Sequence, residues 1–183
     1  MSRIGNKPVA LPSGVKVAVK DRTVTVEAGA KKLSFTHRAE VKVAVDEAAR
    51  QVVITRKDDS RIARAMHGLT RALISNMVVG VTAGFTRDLE VNGVGWTAKL
   101  QGRKVALNIG YADVREVEVP AGVAVEITGN KIKISGPDKH AVGQLAANIR
   151  AQRPPEPYNA KGIKYAEEVI IRKQGKAFAG GGA

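Results

Sequence analysis

The sequence predicts an α+β protein of two related domains, each a small, mainly antiparallel β-sheet with one helix packed on one face. Three observations predict it. Valines alternate with polar residues in both halves of the 183-residue chain, the two-residue period of strands with one buried face. Two segments, one following Ser60 and one opened by Asp138, change to helical spacing. A Pro-x-Gly-Val hairpin also recurs at an offset of 108 residues: Pro12-Ser13-Gly14-Val15-Lys16-Val17-Ala18-Val19 matches Pro120-Ala121-Gly122-Val123-Ala124-Val125-Glu126-Ile127.

The elements follow in order. Val15, Val17 and Val19 alternate, then Val24 and Val26, then Val41, Val43 and Val45, with turns at Asp21-Arg22 and Gly29. Val52, Val53 and Ile54 make a further strand. Ile62, Met66, Leu69 and Leu73 follow helical spacing and predict one buried stripe. Asp58-Asp59-Ser60 supplies the acidic and capping groups that a helix start favours, and Gly80 is the predicted stop. The opposite face carries Arg61, Arg64 and Arg71.

In the second half, strands are predicted around Leu89 and Val91, Trp96 to Leu100, and Val105 to Ile109, with a hairpin turn at Gln101-Gly102-Arg103. Val117 and Val119 lead to Pro120. The second helix carries Val142, Leu145 and Ile149 on one side, and Pro154 ends it. The hairpin match continues from Val24 to Ile132 and from Val26 to Ile134. Met66, Leu69 and Leu73 correspond to Val142, Leu145 and Ile149 at an offset of 76. Hairpin and helix therefore recur, with a longer insert between them in the first copy. The expected division is residues 1–82, residues 83–175, and a glycine-rich tail, 176–183, mobile in the free protein.

Charge narrows the function. The chain carries 30 Lys+Arg against 17 Asp+Glu, a net charge of +13. Both halves are basic, about +8 through Thr82 and +5 beyond it. Such a chain repels itself unless a polyanion neutralises it, and nucleic acid is the first candidate. No apolar run approaches the ~20 residues that span a bilayer, and Met1 to Asn6 has no apolar signal core. Cysteine is absent, which removes disulfides and thiolate metal sites and suits the reducing cytoplasm.

Catalytic patterns are missing. His37, His67 and His140 have no metal-binding spacing, and no serine sits in a nucleophile elbow. Glu167-Glu168 makes a poor carboxylate dyad and reads as solvated edge positions. Gly93-Val94-Gly95-Trp96-Thr97-Ala98 has the letters of a dinucleotide fingerprint, with Asp113 downstream. That fingerprint must open a helix, whereas Trp96, Ala98 and Leu100 alternate as a strand, so a tight backbone approach is the expected use of these glycines. No cofactor, metal or small-molecule substrate is expected.

The segment from Arg153 to Tyr165, Arg-Pro-Pro-Glu-Pro-Tyr-Asn-Ala-Lys-Gly-Ile-Lys-Tyr, is the most informative. Prolines stiffen one side and Gly162 frees the other. It reads as a rigid, basic, aromatic finger that core packing does not explain. The expected RNA contacts are Arg150, Arg153, Tyr158, Lys161, Gly162, Lys164, Tyr165, Arg172, Lys173 and Lys176. A second group comprises Arg3, Lys7, Arg64, His67 and Arg71; helix–sheet packing is the competing reading at His67-Gly68, and a solvated face at the helix arginines. Aromatic residues make up 4% of the chain, too few for the serial stacking of single-strand binders, which favours backbone and shape recognition of folded RNA. A cofactor site at Gly93-x-Gly95 and a stand-alone DNA-compacting or RNA-chaperone module are the alternatives.

Several motifs resemble one family. Ser2-Arg3-Ile4-Gly5-Asn6-Lys7-Pro8-Val9, His67-Gly68-Leu69-Thr70-Arg71-Ala72-Leu73, Glu90-Val91-Asn92-Gly93-Val94-Gly95-Trp96, Asp138-Lys139-His140-Ala141-Val142-Gly143-Gln144, and Pro155-Glu156-Pro157-Tyr158 with Lys161-Gly162-Ile163-Lys164-Tyr165 are similar to the bacterial large-subunit ribosomal protein L6 family. Asn159 and Ala160 depart from the lysine and glycine usual there. The resemblance implies two duplicated domains and a cytoplasmic, ribosomal protein. It implies binding of large-subunit ribosomal RNA, chiefly through the C-terminal domain, near the sarcin-ricin loop and stalk base. Neighbouring ribosomal proteins and passing translation factors would be its other partners.

Overall fold

In the computed structural model, which describes residues 4–175, the chain divides into two compact units. The first runs through Phe85 and takes in Gly136–Lys139; the second holds Thr86–Ser135 and the chain from His140. Each unit carries two small sheets rather than one, together with a single long helix.

In the first unit, β1 (Val9–Ala10) pairs with β6 (Gln51–Arg56), which pairs with β5 (Val41–Asp46). A second sheet joins β2 (Lys16–Lys20), β3 (Thr23–Ala28) and β4 (Lys31–Thr36). All of these pairs are antiparallel. Val24, Val26, Val41, Val52 and Ile54 point inward and pack with Ile74, Met77, Val78 and Val81 of α1 (Arg61–Thr82). The Ser60 hydroxyl accepts from the Ala63 N–H at 3.1 Å, capping that helix, and the Asp58 carboxylate accepts from the Ser60 N–H at 3.1 Å. The Ser60 side chain holds the Asp58 carboxyl below its ordinary pKa.

The buried stripe of α1 differs from the predicted one. Ala63, His67, Thr70, Ile74, Met77, Val78 and Val81 face the sheets, while Ile62 and Leu69 are 54% and 48% exposed. The two stripes are offset by one residue, about 100° around the helix. The true stripe begins with alanine, histidine and threonine, which hydropathy does not flag. Gly80 is not the stop either. It lies inside the helix, where a Cβ would fall on the Pro137 carbonyl oxygen. The helix ends at Thr82, and the N–H groups of Ala83 and Gly84 both donate to the Val79 carbonyl, with Gly84 at φ +78°.

In the second unit, β8 (Thr97–Gln101), β9 (Lys104–Asn108) and β10 (Arg115–Glu118) form one antiparallel sheet. The other sheet has the order β11 (Ala124–Thr128), β12 (Lys131–Gly136), β7 (Phe85–Asn92), β13 (Gly162–Tyr165). Leu89, Leu107, Ile109, Ile132, Ile134 and Ile163 pack with Val142, Leu145 and Ile149 of α2 (Lys139–Gln152).

The repeat is visible in the backbone. β11 and β12 begin and end 108 residues after β2 and β3. Gly14 and Gly122 share φ values of +89° and +81°, and the turn residues Asp21 and Gly129 share +54° and +61°. For the helices the matching offset is 75 residues, not 76: Val142, Leu145 and Ile149 correspond to the buried His67, Thr70 and Ile74. Strand order also differs. β4 to β6 lie between hairpin and helix in the first unit, whereas β7 to β10 precede the hairpin in the second.

Candidate nucleic-acid interface

The finger grows directly from α2. Pro154 follows the helix and has no N–H to continue it. The chain then closes on itself: the Ile163 N–H donates to the Arg153 carbonyl at 2.8 Å, and the Glu156 N–H to the Lys161 carbonyl at 2.9 Å. Gly162 has φ +149°, and a Cβ there would collide with the backbone of Pro154 and Pro155, so its glycine is used for packing within the finger. Contrary to the expectation from sequence, core packing explains one leg of this segment. Gly162–Tyr165 is β13, paired antiparallel with β7, and Ile163 is 0% exposed. The finger is rigid because one of its legs is a strand.

The expected contacts fall into two groups. Lys161, Tyr158, Arg172 and Lys173 are exposed, and the Lys173 N–H donates to the Pro157 carbonyl at 2.8 Å, which lays residues 172–173 beside the finger. The others among the described residues are engaged within the protein. Lys164 meets Glu90 across the strand pair at 3.3 Å. The Arg150 Nε and Nη2 donate to both oxygens of Glu168, at 2.9 and 2.5 Å, with the guanidinium over the Tyr165 ring. Hydrogen bonding from Arg150, and more weakly from the Tyr165 N–H, holds the Glu168 carboxyl below its ordinary range, and the same bonds hold the Arg150 pKa above its usual value. Glu168 is therefore not the solvated edge residue expected; only Glu167, whose side chain is 87% exposed, fits that description.

Arg153 sits between two aromatic rings. Its guanidinium carbon lies 4.7 Å from the Trp96 centroid and 4.6 Å from that of Tyr111, while Nη1 donates to the Ile109 carbonyl at 2.7 Å. Trp96 folds back over Gly93, where a Cβ would lie inside the indole. Gly93-Val94-Gly95 is thus a tight turn into β8, and no helix follows it. Neither Trp96 nor Tyr111 was expected at this surface. The glycines at 93 and 110 were the available signal, because both leave room for the indole.

In the first unit, His67 is 3% exposed and its Nε2 donates to the Ile54 carbonyl at 2.9 Å. Gly5 lies against the ring; a Cβ there would come 2.5 Å from Nδ1. The packing account, rather than an RNA-facing one, therefore fits His67. Arg71 donates to the carbonyls of Lys7 and Pro8 at 3.2 and 3.5 Å, tying the N-terminal segment to the helix. Arg64 and the Lys7 side chain are exposed. Arg3 and Lys176 lie outside the described residues. Among the described residues no group of His, Asp and Glu is placed to hold a metal ion, and no helix is long and apolar enough to cross a membrane.

Residues 11–84 and 92–166 each match the family model described as ribosomal protein L6. The chain belongs to the ribosomal protein L6 family. It is 50% identical over 178 residues to the large ribosomal subunit protein uL6 of Clostridium perfringens, covering 96% of this chain and 98% of that one. The uL6 proteins of Rhodopirellula baltica and Acaryochloris marina are 49% and 48% identical, each over 97% of this chain and 98% of theirs. The two matched segments accord with the two-copy architecture. Membership of the L6 family makes the chain a structural ribosomal protein and not an enzyme.

Proposed function

We propose that this L6-family chain is built into the large ribosomal subunit and binds folded large-subunit RNA through its second unit. In this reading it sits near the sarcin-ricin loop and the stalk base, beside neighbouring ribosomal proteins and within reach of translation factors. The relatives' names support the subunit, and the family resemblance supports the location. The observation that carries RNA binding is the grouping of Lys161, Arg172 and Lys173, all exposed, on a finger whose other leg is a core strand. Cations held on a stiff support release counterions from a phosphate backbone at little conformational cost.

The test is the salt dependence of binding to purified large-subunit RNA. Replacing Lys161 and Lys173 together by alanine should lower the slope of log K against log salt by about two units, with the melting temperature unchanged because both side chains are exposed. An unaltered slope would remove the finger from the interface. Nucleotide protection by the bound protein at the sarcin-ricin loop and stalk base checks the location; protection elsewhere alone refutes it.

A further inference from the structure

The Trp96–Arg153–Tyr111 arrangement continues one step further than a staple requires. The Arg115 guanidinium carbon lies 4.9 Å from the Tyr111 centroid, so two guanidiniums share one ring. They are separated by no more than the sum of their distances to it. Two like charges gathered on one ring favour an anion beside them. One carboxylate is at hand: Asp113, 3.0 Å from Arg115 Nε, with its side chain 62% exposed. Among the described residues no carboxylate pairs with Arg153. Its partners are the Ile109 carbonyl and the two rings.

We propose that Arg153 and Arg115, held on Tyr111, form a clamp for a phosphate of the RNA backbone, distinct from the exposed cations of the finger. The proposal rests on the RNA-binding reading above and deepens it. Stacking on an aromatic ring uses the face of a guanidinium and leaves its in-plane N–H edge free, the edge that grips phosphate oxygens in pairs. Guanidiniums already lie against the ring, so the group on offer is a hydrogen-bonding edge and not a platform for stacking a base. The geometry is fixed in advance. Ile109 holds one Arg153 nitrogen, and Gly93 and Gly110 admit the indole that supports the guanidinium. The site is also reachable, because Tyr111 is 42% exposed and the Arg115 side chain 45%. Since the Arg153 carbonyl accepts from the Ile163 N–H, the clamp lies at the root of the finger, and one RNA strand can engage both.

Trp96 is the chain's single tryptophan, so its fluorescence reports on Arg153 directly. Saturating large-subunit RNA should shift or quench Trp96 emission, while inorganic phosphate at the same phosphate concentration should not. Arg115→Gln should weaken RNA binding roughly tenfold and lower the salt slope by about one unit, with the melting temperature unchanged. Arg153→Lys should keep the slope and lose affinity, because an ammonium retains the charge but not the fork. Unmoved emission, an equal response to inorganic phosphate, or wild-type affinity and slope in Arg115→Gln would each overturn the clamp. If Lys161→Ala with Lys173→Ala weakens binding and Arg115→Gln does not, the clamp alone fails. If the unaltered chain binds no RNA, the functional reading fails with it.

Discussion

Ala160 holds a φ of +57° while only 9% exposed. A side chain with a Cβ is strained there by about 1–2 kcal/mol, and glycine would relieve it. Glycine also widens the unfolded ensemble, which returns roughly 0.4–1 kcal/mol. The net favours glycine, so Ala160→Gly should raise the melting temperature by about 1–3 °C, read by calorimetry; a lower melting temperature would show that the finger tolerates this φ without strain. The departure from the family pattern was legible in sequence, but its consequence was not, since φ at one residue depends on the closure between Glu156 and Lys161. The same distinction separates the cations. Lys161 could be placed on the surface from its proline and glycine neighbours alone. The enclosure of Arg153 could not, because Trp96 and Tyr111 are brought to it by the fold from the loops before β8 and after β9.

At the scale of elements, strands were the more legible because one face of β5 is β-branched throughout and one face of β3, β6 and β12 carries two β-branched residues in succession. The existence of α1 was equally clear, yet its orientation was not. Its predicted stripe and its buried one lie a residue apart, and packing chose the one whose histidine reaches the Ile54 carbonyl. β13 was hidden for another reason: its four residues contain two lysine- or tyrosine-bearing positions that read as surface, and only pairing with β7 reveals the buried Ile163. The junction of α2 with the chain beyond β13 depends on Arg150 and Glu168, and this gives a pH dependence. The Glu168 pKa is lowered in the folded state from an ordinary 4.5, so the pair stabilises fully above that value and its contribution is lost as pH falls through the folded pKa. Arg150 stays charged throughout. Glu168→Gln should therefore unfold at lower denaturant than the unaltered chain at pH 7, and the gap should narrow as pH falls below 4.5. A gap that persists in acid would show that shape, not charge, sets the contribution of this residue.

Across the whole molecule, one quantity governs two opposed responses. The +13 charge of the free chain destabilises its own compact state by self-repulsion, and salt relieves that repulsion as the screening length falls to about 8 Å near 0.15 M. The same salt restores counterion competition for RNA. On the proposed reading Lys161, Arg172, Lys173, Arg115 and Arg153 would together make five phosphate contacts, for a log–log slope of about −4.5; raising salt from about 50 to 200 mM should then weaken RNA binding by roughly 500-fold. Over that interval the melting temperature of the free protein should rise, because its charges repel one another while those of the complex are already neutralised. Thermal melts and filter binding on one salt series read both trends. A melting temperature that falls with salt would mean that ion pairs such as Arg150–Glu168 and Lys104–Glu116 outweigh the repulsion. An affinity indifferent to salt would mean that contacts other than phosphates hold the RNA. Because the excess charge is spread over both copies of the repeat, neutralising the finger alone should leave the melting trend in place and change only the slope of binding.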